Sequence, residues 1–118
     1  MLVLLLALVL AAPAAADDDA RVKGTCGRGA KSELRVRAKD GSLRVEFRVD
    51  SRRSRERWRV FIVHERRVVW RGSVRTRSGG SLRIRRSLPD YDGADEVSVR
   101  ATGPGGNTCQ ATATLTDV

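Results

Sequence analysis

The sequence predicts an all-β fold: a single antiparallel β-sandwich of about seven strands preceded by an N-terminal signal peptide. Three observations predict it. From Ser32 onward, apolar and polar residues alternate with period two in one short segment after another. Turn-forming runs such as Asp40-Gly41 and Gly103-Pro104-Gly105-Gly106-Asn107 interrupt those segments at regular spacing. No stretch of helical periodicity follows residue 16. The chain divides into a signal peptide (1–16), a polar lead-in carrying Cys26 (17–31) and one sandwich domain (32–118).

Residues 1–16, MLVLLLALVLAAPAAA, hold no charge and end in the small-x-small pattern Ala14-Ala15-Ala16, followed at once by Asp17-Asp18-Asp19. A spanning helix needs about 20 apolar residues. This run is shorter and closes on alanines, which fits cleavage after about Ala16; an uncleaved anchor is the competing reading. No membrane span is expected once it is removed, so the sequence points to secretion. In an exported chain the two cysteines, Cys26 and Cys109, read as a disulfide, with two separate buried thiols as the alternative.

The elements follow in order. Leu34, Val36 and Ala38 alternate with Glu33, Arg35, Arg37 and Lys39, a strand with one wet face. Asp40-Gly41 is a hairpin turn, and Leu43, Val45, Phe47 and Val49 form the inward face of the next strand. Ser51–Glu56 is a basic loop without an apolar residue. Arg57–Gly72 then reads as a hairpin turning at His64-Glu65-Arg66-Arg67. It carries both tryptophans, with Trp58, Val60 and Ile62 inward, and is expected to be the densest part of the core. Leu82, Ile84 and Leu88 mark a strand that Pro89 ends. A turn at Asp92-Gly93 precedes Val97, Val99 and Ala101. The last strand points Cys109, Ala111, Ala113 and Leu115 to one side. The predicted core thus centres on Phe47, Trp58, Val60, Ile62, Val97 and Val99.

This chain resembles an immunoglobulin-like or fibronectin type III-like sandwich across Ser32 to Leu115, on its strand count, on Trp58 in the third strand, and on the run SLPDYDGADEVSVRA. The cysteines depart from the antibody pattern, because they lie before the first strand and at the start of the seventh. Tyr91 falls in a loop rather than in the sixth strand. The chain is also similar to short exported proteins of GC-rich bacteria. If the strands run up and down in order, Cys26 and Cys109 meet at one end of the sandwich. The loops 51–56, 77–81 and 103–107 collect at that same end.

Function is less legible. A formal charge of +9 and a pI near 11.1 suit anionic polymers or a cell-envelope surface. GC-rich codons alone also favour Arg over Lys. One reading places a binding site in the loop bearing Arg52, Arg53, Arg55 and Arg57, whose guanidinium forks match phosphate, sulfate and carboxylate. Another is a structural or adhesive envelope domain held by a diffuse field from Arg35, Arg37, Arg44, Arg48, Arg83 and Arg85; an unidentified protein partner is the third possibility. No aromatic residue interleaves the basic loop, which argues against nucleic acid. The chain is expected to be monomeric or weakly associating.

An enzyme is not expected. His64 is the sole histidine, it falls at a predicted turn, and no nucleophile or zinc motif is present. Two cysteines and one histidine do not make a metal set, and no cofactor is expected. Asp90, Asp92 and Asp95 are clustered carboxylates that calcium could use, but their spacing matches no full binding loop.

Overall fold

The computed structural model describes residues 19–91 and 93–116. The expected signal peptide, Asp17, Asp18 and Asp92 lie outside the described residues. The strands are β1 (Asp19–Lys23), β2 (Thr25–Cys26), β3 (Lys31–Lys39), β4 (Ser42–Asp50), β5 (Arg57–His64), β6 (Arg67–Arg75), β7 (Ser81–Pro89), β8 (Asp95–Thr102) and β9 (Thr108–Leu115). They form two antiparallel sheets, ordered β1-β3-β4-β7 and β2-β9-β8-β5-β6, packed face to face. The all-β sandwich is as the alternation predicts.

The period-two pattern explains the layers. Leu34 and Val36 on β3, and Leu43, Val45, Phe47 and Val49 on β4, face Trp58, Val60 and Ile62 on β5 and Val97, Val99 and Ala101 on β8. All are buried. Burying one such side chain stabilises the fold by about 1.5–3 kcal/mol before chain entropy is subtracted. Register is fixed by the same pattern, since a one-residue slip would turn this whole set to water.

Two tight turns set the hairpins. Asp40 and Gly41 both have positive φ (52° and 76°), the backbone that matches strand twist in a two-residue hairpin. Glu65 and Arg66 do the same at 51° and 67°. The turn therefore comprises Glu65 and Arg66 alone. His64 pairs with Arg67 as the last residue of β5 and is 2% exposed, so the expectation of a histidine in the turn is corrected. Its position follows from alternation: His64 continues the inward series of Trp58, Val60 and Ile62.

Other corrections concern the lead-in and β6. The lead-in forms two short strands, which raises the count among the described residues to nine. Ala20 and Val22 alternate with Asp19, Arg21 and Lys23 along β1, too short a pattern to stand out by itself. The Arg57–Gly72 hairpin is also not uniformly dense. Its β5 half is core, but β6 lies at the sheet edge and runs on to Arg75, with Trp70 only half-buried and Val68 and Val69 exposed.

β2 pairs with the start of β9, where Cys26 and Cys109 are direct register partners joined by a disulfide. The expected bridge is therefore present. The up-and-down order places the loops before β5, β7 and β9 at this end of the sandwich.

Candidate anion-binding site at the loop end

The loop Ser51–Glu56 lacks apolar residues, so nothing in its own sequence would fix it. A second loop does so from outside. Thr76, buried at 3% exposure, accepts at Oγ1 from the Glu56 amide (2.9 Å) and donates to the Arg53 carbonyl (2.7 Å). The Thr76 amide donates to the Glu56 carbonyl at 2.9 Å, and the Arg55 amide donates to the Thr76 carbonyl at 3.1 Å. At the other end the Ser51 amide donates to the Gly80 carbonyl at 2.8 Å. Gly80, at φ 87°, lies directly on the backbone of Arg52 and Arg53, where a Cβ would collide. Two loops about 25 residues apart thus form one braced unit.

Arg52, Arg53, Arg55 and Arg57 are all exposed on this unit. The second loop adds two cations that the sequence reading missed. Arg75 is the cross-strand partner of Arg57, and Arg77 follows Thr76 directly. Counting register back from the Glu65-Arg66 turn would have found Arg75, had the bulge between Ile62 and Val63 been legible. None of the six is in an ion pair among the described residues. Two carboxylates lie in the same unit without pairing to these arginines: Glu56 Oε1 accepts from the Ser51 hydroxyl at 3.0 Å, and Asp50 Oδ1 accepts from the Arg52 amide at 3.1 Å. Like charges so placed in one braced unit raise the local potential, which a bound anion would relieve.

The glycine-rich turns contribute less than their sequence suggests. The Gly79 and Gly80 amides donate to the Arg77 carbonyl, and the Gly103 amide donates to Asn107. Gly103 lies against the Trp58 indole, where any Cβ would collide. That glycine serves the core.

No family model matches the chain, and no curated protein or solved structure matches it either. Function must therefore be argued from the residues.

The outer face of the four-stranded sheet is the other basic region. Arg35 forms a bidentate hydrogen-bonded pair with Asp19, at 2.7 and 3.1 Å. That pair holds the Asp19 carboxyl below its ordinary value and raises the Arg35 guanidinium. Arg83 and Arg85 both approach Glu46 at 3.5 Å, and Arg21 approaches Glu33 at 3.6 Å. Arg37 and Arg44 face one another as direct cross-strand partners. With Arg48, they lie outside these ion pairs. A shallow cleft of about 490 Å³ is lined by Arg35, Arg37, Arg44, Arg85 and Arg86, with the Glu46 carboxylate among them.

At the opposite end of the sandwich, His64 Nε2 lies 2.8 Å from Asp95 Oδ1, both side chains being buried, and Tyr91 stacks on the imidazole at 5.3 Å. Ligand atoms of His64, Glu65 and Asp95 lie within 4.8 Å of one another, a grouping that sequence reasoning missed because it put His64 in a turn. His64 Nε2 and Asp95 are partnered with each other and Glu65 Oε1 accepts from the Glu96 amide at 2.7 Å, while His64 Nδ1 is buried without a partner among the described residues. Of the three aspartates considered for calcium, Asp95 is turned inward to His64 and Asp92 is outside the described residues.

Proposed function

We propose that this chain is an exported, non-catalytic binding module for an anionic polymer, engaged at the loop end. The observation that carries the reading is the braced unit bearing Arg52, Arg53, Arg55, Arg57, Arg75 and Arg77, none of them in an ion pair among the described residues. Guanidinium forks match phosphate, sulfate and carboxylate groups, and a loop that is already braced has little backbone freedom to lose on binding them. Export is supported by the leader-like residues 1–16 and by the Cys26–Cys109 bridge. The immunoglobulin-like or fibronectin type III-like resemblance is supported by β3 to β9, seven strands split three and four between the sheets.

A second reading is an envelope domain that adheres through its whole charged surface. The Arg37–Arg44 pair and the cleft beside it favour that reading.

Salt-dependent binding of the full chain to an anionic polymer tests both. The comparison is a variant with Arg52, Arg53, Arg55 and Arg57 changed to serine. Binding that persists near 0.15 M salt, where the Debye length is about 8 Å, and collapses in the variant supports a localised site. A loss merely proportional to the charge removed supports the diffuse surface. Binding that disappears by that salt removes both.

A further inference from the structure

We infer that the free edge of β6 accepts an extended acidic segment of another protein as an additional strand. Among the described residues β6 is the last strand of its sheet and pairs only with β5, and β7 is the last strand of the other. The two edges lie on the same side of the sandwich, where the Arg86 guanidinium sits 4.4 Å over the Trp70 ring. Arg86 occupies an inward position in the Leu82, Ile84, Leu88 series yet is exposed. The edge of the sandwich is therefore open at that point.

Charge selects the occupant. β6 and β7 carry Arg67, Arg71, Arg75, Arg83, Arg85 and Arg86 and not one acidic residue. A second copy adding edge to edge would set arginines against arginines, and like charges directly opposite oppose pairing. An acidic strand meets no such barrier. The pattern of β6 specifies it further. Past the register shift, Arg71, Ser73 and Arg75 point to solvent while Trp70, Gly72 and Val74 are half-buried. Gly72 matters locally, because the Trp70 ring lies over it where a Cβ would meet the indole at 2.6 Å. A partner strand alternating carboxylate and aliphatic side chains would set its acids beside Arg71 and Arg75. Its aliphatic residues would cover Trp70 and Val74. Main-chain bonds would supply affinity and the alternating side chains selectivity.

The test uses the full chain and a synthetic peptide of alternating Glu and Val, with amide chemical shifts as the readout. Three comparisons accompany it: the same peptide N-methylated at every second residue, polyglutamate, and the Arg71→Glu variant. The expected result is shift changes along Trp70–Arg75, with N-methylation and Arg71→Glu each weakening binding by about tenfold or more, as loss of several main-chain bonds or one charge-assisted contact implies. Equal binding of the N-methylated peptide or of polyglutamate would overturn the proposal, as would unchanged binding to Arg71→Glu. Shift changes confined to the loop end would overturn it while leaving the loop-end reading intact. Conversely, the variant with serine at Arg52, Arg53, Arg55 and Arg57 is expected to keep the peptide.

Discussion

Arg52 and Arg55 hold left-handed backbone, with φ of 62° and 56°. That conformation costs an L-residue about 1–2 kcal/mol, and strain of this kind gathers where side-chain placement matters more than stability. Glycine avoids the cost but has more freedom to lose on folding. Arg52→Gly or Arg55→Gly is therefore expected to raise stability by about 0.5–1 kcal/mol while weakening polyanion binding. Urea unfolding beside a binding titration checks both halves, and a variant that loses stability along with binding would remove the strain argument. Thr76→Val makes the opposite prediction. It preserves shape but strands the Glu56 amide and the Arg53 carbonyl, both partners of Oγ1. A loss of about 1–3 kcal/mol is expected, together with faster amide exchange at Glu56. Polyanion affinity should also fall, although no arginine has been removed.

β1 makes its shortest charged contact at its start, with a longer Arg21–Glu33 pair further along. Asp19 is hydrogen-bonded to Arg35 across the β1–β3 ladder, and that bond holds its carboxyl below the ordinary value of 3.8. A carboxyl with a depressed folded value stabilises the fold fully above its unfolded value and loses that contribution as pH falls through the folded one. Amide protection along Ala20–Lys23 is therefore expected to fall on acidification below 3.8, before that of β8 or β9. In Asp19→Asn it should be low at both ends of the range. Equal protection in the variant at neutral pH would show that β1 is held by Ala20 and Val22 instead. The same strand shows why some elements were hidden in the sequence. Long alternations such as Leu43 to Val49 declare themselves. Two apolar residues beside Asp19, Arg21 and Lys23 form a strand only because β3 offers an edge, and a linear pattern carries no record of that edge. Likewise His64 was misplaced because a polar residue next to turn residues reads as turn, while its burial depends on Asp95, 31 residues away. The four loop arginines were legible as a run; Thr76, which braces them, was not.

At the scale of the whole molecule, the Cys26–Cys109 bridge joins residues 83 apart and so encloses most of the sandwich. Closing a loop of that length in the unfolded chain stabilises the fold by about 4–5 kcal/mol on the chain-entropy account, against a typical total of about 5–15 kcal/mol. The bridge also secures β2, a strand of two residues whose ladder is with the start of β9. The Cys26→Ser, Cys109→Ser double variant should therefore show two separable effects. Its urea midpoint should fall by an amount corresponding to several kcal/mol, with a steeper transition because the unfolded chain is no longer compacted by a crosslink. Below that transition, amide protection at Thr25 and at residue 26 should be lost while β5 and β8, which hold Trp58 and Val99 in the core, stay protected. The braced loops at Thr76 and Gly80 bond to each other and not to β2. The folded double variant is therefore expected to bind an anionic polymer as the parent chain does. Binding lost together with β2 protection would mean that the loop end takes its order from the disulfide rather than from Thr76.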